Sequence, residues 1–215
     1  MSSVETDTGS RPVDALLAGY ALGTLSRPLS VLVESHLCLN TVNRGYVAAL
    51  EALCGVVLSE TTGKPLSKRD ERLAAIFALD DRDAAPPIPM IVDPVLPSPL
   101  ARFIGHGLDR VSWKSVMPGL KEHRLSDEAS LLWIGAGRRM PNHTHEGTEA
   151  TLVLKGSFSD LTGEYLRGDI AIGDEDLDHR PIAGTAEDCI CFVVNDAPLR
   201  LTGPVGRFIE LFRRH

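Results

Sequence analysis

Residues 137–149 read Gly137-Arg138-Arg139-Met140-Pro141-Asn142-His143-Thr144-His145-Glu146-Gly147-Thr148-Glu149, and Gly156 closes the stretch. Successive residues of a strand point to opposite faces, so a strand here puts His143 and His145 on one side. Glu149 follows a short glycine-containing turn and returns to the same side. Two imidazoles and a carboxylate suit a divalent Zn, Fe, Mn or Ni ion better than a soft all-thiolate site does. Downstream, Gly168-Asp169 opens a second strand signal, Asp169-Ile170-Ala171-Ile172, and His179 ends the acidic turn that follows. His179 is the expected fourth ligand.

The spacing from Gly137 through His143, His145 and Glu149 to Gly156 resembles the first motif of the cupin superfamily. Gly168, Asp169 and His179 resemble the second motif, with Asp174 and Asp176 where proline and glycine are usual. The resemblance implies a double-stranded β-helix, a jelly-roll barrel, holding one metal on His143, His145, Glu149 and His179. Zinc is expected ahead of iron, manganese or nickel. His106, His123 and His215 stand apart from this pattern and are expected at the surface.

The 215 residues suffice for one large domain or two small ones, and a hydrophobic fraction of 43% is ordinary for a globular chain. A formal charge of −7 gives no basic excess for nucleic acid. No apolar run approaches a membrane span, and the polar, acidic start Met1-Ser2-Ser3-Val4-Glu5 is unlike a signal peptide. A cytoplasmic protein with reduced cysteines is expected. Cys189 and Cys191 alternate on one strand face. They read either as small core residues or as a redox-sensitive pair, the latter needing a lowered thiol pKa.

Six of the 14 prolines fall at 86, 87, 89, 94, 97 and 99. Proline removes donors and fixes φ, so residues 81–100 read as an extended linker, its apolar part lying along a domain surface. Before it, residues 1–80 carry helical periodicity in four segments: Asp14–Leu25 broken at Gly23, a second starting around Pro28 and ending near Asn40, Tyr46–Leu58, and Ser67–Leu79. After it, residues 101–215 carry short strand signals at Ser130–Ile134, Ala150–Leu154, Asp169–Ile172, Cys189–Val194 and Leu199–Leu201. The fold class expected is therefore multidomain α + β: a small helical bundle followed by a β-barrel. A bundle this small leaves apolar faces uncovered, which calls for a partner.

A helical half ahead of a cupin resembles the ChrR-type anti-sigma factors of bacteria. The likeness lies in Asp14–Leu25 and Ser35-His36-Leu37. It continues in Leu132-Trp133-Ile134, Glu149–Gly156, Gly168-Asp169-Ile170, Asp188–Cys191 and Asp196–Arg200. It implies that the helices sequester an extracytoplasmic-function sigma factor and release it on an oxidative signal, singlet oxygen or an organic peroxide, sensed by the cupin metal. The zinc-binding members carry a histidine and two cysteines in the helical half, with a further histidine upstream. Here His36 keeps its place, Asn40 and Asn43 occupy the cysteine places, Arg11 stands near the upstream position, and Cys38 is out of register. One histidine and two amides cannot replace a four-ligand structural zinc site. No zinc is expected in the helical half, where His36 reads as a helix-end or bundle-core residue and packing takes over zinc's support.

Three functions follow. The regulator is favoured, because an enzyme has no evident use for a helical half on a proline-rich tether. A metal-dependent cupin dioxygenase or isomerase with a helical oligomerisation domain is the alternative, though no separate general acid or base stands at a telling position. A storage or scaffold cupin is the third. The partners expected are the sigma factor and, when free, a second copy in a homodimer; no direct contact with nucleic acid or membrane is expected.

Overall fold

The computed structural model describes residues 12–79, 91–141, 143–145, 147–173, 180–195 and 199–201, with the backbone alone for 143–145 and 199–201. Four helices come first: α1 (Pro12–Ala21), α2 (Arg27–Leu39), α3 (Arg44–Glu60) and α4 (Arg69–Phe77). Proline in its first turn lets α2 start after Ser26, since the ring costs no intrahelical bond there. Its buried residues Val31, Leu32 and Val33 are consecutive, so α2 is covered on more than one side. Val33 packs with Leu17 and Val47 among the helices. Val31 and Leu32 turn the other way, into the main core with Leu100, Leu131, Leu152 and Phe192.

Residues 98–104 form a fifth helix, α5 (Ser98–Ile104), where the sequence reading placed the end of an extended linker. Pro97 is its N-cap and Pro99 lies in its first turn, positions where a missing N–H breaks nothing. Leu96, Leu100 and Ala101 are buried in the main core, and Ile91 and Val95 pack against it. The segment is thus part of the core. Asp93 pins it: its carboxylate accepts from the N–H groups of Val95 (2.8 Å), Leu96 (2.8 Å) and Leu108 (2.7 Å). Pro86, Pro87 and Pro89 lie outside the described residues.

The rest is antiparallel sheet. In chain order the strands are β1 (Lys114–Met117), β2 (Leu120–Arg124), β3 (Ala129–Ile134), β4 (His143–His145), β5 (Glu149–Lys155), β6 (Ser157–Ser159), β7 (Glu164–Leu166), β8 (Ile170–Gly173), β9 (Ile182–Ala183), β10 (Cys189–Asn195) and β11 (Leu199–Leu201). They pair as a six-stranded sheet β1-β2-β3-β10-β5-β8, a three-stranded sheet β7-β6-β9 and a pair β11-β4. All five strand signals of the sequence are strands, as is the stretch carrying His143 and His145; β1, β2, β6, β7 and β9 are additions. In β1 and β2 the reason is composition. Their sequences, Lys-Ser-Val-Met and Leu-Lys-Glu-His-Arg, are too polar for the pattern. β1 is the edge strand of the six-stranded sheet, and β2 lies between it and β3.

Gly156 has φ +67°, and a Cβ there would stand 2.7 Å from the Asp188 carbonyl oxygen, so the turn from β5 to β6 admits no other residue without a shift. Gly168 has φ +95° and is pressed against α2: a Cβ would lie 3.1 Å from that of Leu39. No helix among the described residues is long and apolar enough to cross a membrane.

Because Leu32 belongs to the barrel core, Leu32→Ala should destabilise the whole chain by about 2–5 kcal/mol. Leu53→Ala, at a 60% exposed position of α3, should change stability by less than about 0.5 kcal/mol. Urea unfolding followed through Trp113 and Trp133 measures both.

Candidate metal centre and partner face

His143 and His145 occupy alternate positions of β4, which pairs with β11 so that Leu201 stands opposite His143 and Leu199 opposite His145. Their side chains, and all of His179, lie outside the described residues. Glu149 opens β5, with Gly173 of β8 opposite it on one side and Asn195 of β10 on the other. β8 ends at Gly173, beside Glu149, immediately before the segment carrying His179.

Glu149 is buried, and its Oε1 accepts a hydrogen bond from the Thr151 hydroxyl at 3.2 Å. Burial pushes its carboxyl pKa up from 4.5 to about 7, against the opposing effect of the Thr151 bond. It lines a cavity of about 40 Å³ with Thr151, Met140, Phe158, Gly173 and Cys191. That volume holds an ion or a water or two. Across from Glu149, the amide oxygen of Asn195 is buried without a hydrogen-bond partner. A buried carboxylate at a small cavity, with an unsatisfied amide oxygen on the residue paired with it in the next strand, fits a cation. Among the described residues no three His, Cys, Asp or Glu side chains come together. Sequence reading did not single out Thr151 or Asn195. Thr151, two residues along the same strand face as Glu149, carried a usable signal; Asn195 depends on cross-strand register and carried none.

Cys189 and Cys191 are fully buried, with Sγ atoms 3.6 Å apart. They belong to a core cluster with Val153, Phe158 and Val193. The hydrogen bond to Cys189, burial and the Glu149 charge all push the Cys191 thiol up, which opposes thiolate formation. The core reading describes these contacts.

His106 and His123 differ from the surface expectation. Both are partly buried, their rings 6.3 Å apart, with Nδ1–H donating to Gly107 O (2.9 Å) and Ser112 O (3.0 Å) respectively. His215 and Arg11 lie outside the described residues.

His36 is buried near the end of α2 and faces the barrel. Its Nδ1 lies 2.6 Å from the Gly168 carbonyl oxygen, which fixes the proton on Nδ1; Nε2 then accepts from the Asn43 amide at 3.0 Å. Burial lowers its pKa, in keeping with a neutral ring. Asn40 donates to Asp169 Oδ1 at 3.3 Å.

The outer helical face is the opposite case. In α3 only Val47 is buried, and in α4 nothing is. Leu53, Val56, Val57, Leu58, Ile76, Phe77 and Leu79 are all exposed, Phe77 by 82%. Leu22, Leu53, Cys54, Val57, Leu58 and Thr61 line an open groove of about 430 Å³. Exposed large apolar side chains this numerous mark an interaction surface, and the groove beside α3 is its best-defined part.

Between pH 4.5 and about 7 the folded, metal-free chain holds a proton on Glu149 that the unfolded chain has released, so stability falls as pH rises. After chelation, this group alone should remove about 3 kcal/mol by pH 8. Glu149→Gln should flatten that slope, as the urea midpoint measured at pH 5, 6, 7 and 8 would reveal.

Residues 104–198 match the family described as the ChrR cupin-like domain. The chain is 39% identical over 206 residues to the anti-sigma-E factor ChrR of Cereibacter sphaeroides, covering 94% of this chain and 96% of that one. It is also similar to the chain in the crystal structure of Rhodobacter sphaeroides SigE in complex with the anti-sigma ChrR, at 38% identity and a TM-score of 0.72, over 85% of this chain and 96% of that chain. With helices in front, a cupin-like barrel behind and identity running through both, the chain belongs to the ChrR family of anti-sigma factors.

Proposed function

We propose that this protein holds an extracytoplasmic-function sigma factor inactive through α3 and α4, and releases it when an oxidative signal reaches the barrel. The observation that carries the reading is the exposed apolar face of these helices, in a chain 39% identical along its length to an anti-sigma factor. A relative crystallised with SigE supports the choice of partner. Amphipathic helices laid on a partner's surface bury such faces and mask what lies beneath.

His143, His145, Glu149 and His179 hold the metal in this reading, and zinc is the ion proposed. When bound, the ion supplies positive charge that compensates the buried Glu149 carboxylate and ties β4, β5 and the segment after β8 together. Singlet oxygen or an organic peroxide is the proposed signal. It must bind or modify the holding and released states unequally, or it shifts nothing. No zinc is proposed in the helical half, and what supports this is that both ring nitrogens of His36 already have hydrogen-bond partners.

Co-expression of the full chain with each extracytoplasmic-function sigma factor of the source cell should recover one stable complex. Leu53→Asp together with Val57→Asp should weaken it at least about tenfold, since each places a charge in a buried apolar contact. Failure to recover any sigma factor with folded protein would sink the reading. Substituting His143, His145 and Glu149 together should lower the zinc content measured by elemental analysis and blunt the peroxide response of the partner-dependent promoter.

A further inference from the structure

His36 joins three parts of the fold through one ring. Nδ1–H donates to the carbonyl of Gly168, in the turn between β7 and β8. Nε2 accepts from Asn43, the residue that caps α3. Beside it, Asn40 links the end of α2 to Asp169 of the same barrel turn, and its own Oδ1 accepts from the backbone N–H of Val42 at 2.9 Å. Gly168 is buried and fits so closely under Leu39 that only glycine leaves the turn in place.

We infer that this clasp is the coupling element between the barrel and the partner-bearing helix: through His36, the position of the Gly168–Asp169 turn sets that of the α2–α3 turn and the first turn of α3. Two geometric facts give it direction. On the barrel side, the turn leads directly into β8, whose far end lies beside Glu149. On the helical side, α3 has a single buried residue, Val47, packed against Leu17 and Val33. Its first turn is tied to the end of α2 by the clasp and by exposed bonds from Arg44 to Leu37 O and Cys38 O, so the buried link between the two turns is the clasp. An imidazole donating at one nitrogen and accepting at the other is rigid, and a shift of either partner must be followed or must break a buried hydrogen bond. His36 is on this account a positioning residue. The Asn residues at 40 and 43, which cannot serve as thiolate ligands, complete the clasp.

The coupling bears on function through the sigma-factor reading above. Its test contains neither metal nor partner, so the two stand or fall separately. The experiment is amide hydrogen exchange on the full chain, read by mass spectrometry at residues 41–47, whose N–H groups include those of Arg44 and Val47 bonded at the start of α3. Asp169→Ala, a change made in the barrel turn, should speed exchange there about tenfold, while β3 and β10 stay at their original rates. His36→Ala should do the same, and adding Asp169→Ala to it should have no further effect on α3. Asn43→Ala takes the place of His36→Ala in this cycle if the latter fails to fold. Unchanged exchange at 41–47 in Asp169→Ala, or effects that simply multiply in the double variant, would overturn the coupling.

Discussion

Helix α2 is buried from two sides at once, and the rest of the molecule is arranged around that constraint. Val31 and Leu32 give it to the barrel core; Val33 gives it to α1 and α3. A helix covered on both sides cannot choose its own orientation. Its C-terminal end is then fixed by hydrogen bonds from His36 and Asn40 to a turn of the barrel. Those bonds are made where water is excluded, so leaving either ring nitrogen unpaired carries the full cost of desolvation.

This arrangement separates two kinds of helical surface. The inner face of α2 is committed to the barrel, while α3 buries only Val47, against α1 and α2, and α4 buries nothing among the described residues. Stability and partner binding therefore fall on different residues. Leu32 serves the first, Leu53 and Phe77 the second. The same arrangement holds the helical half together around Asn40 and Asn43. Burial of α2 and the His36 hydrogen bonds supply the constraint.

The barrel places Glu149 between two neighbours of different character. Gly173 contributes no side chain, which leaves space; Asn195 contributes an amide oxygen without a partner. Burial raises the Glu149 carboxyl pKa to about 7 in the metal-free chain, against the Thr151 hydrogen bond. Cys191 nearby lines the same interior as a thiol, pushed away from the reactive form by its hydrogen bond to Cys189 and by burial.

Much of this was legible in the sequence. The period of two around His143 and His145, the glycines at 156 and 168, and the helical periods before residue 80 depend on local geometry, and local geometry is written residue by residue. The short strands β1, β2, β6, β7 and β9 were not, because they are placed by their neighbours in the sheets rather than by their own pattern. Nor was the depth of burial at Leu96, Leu100 and Ala101: proline density argued for a spacer whose apolar part lies along a domain surface, and these side chains enter the core. The roles of Asn195 and of the Gly168 carbonyl depend on cross-strand register and on where α2 docks. Such contacts join residues more than 40 positions apart, and only the folded chain decides which distant backbone oxygen a buried imidazole will meet.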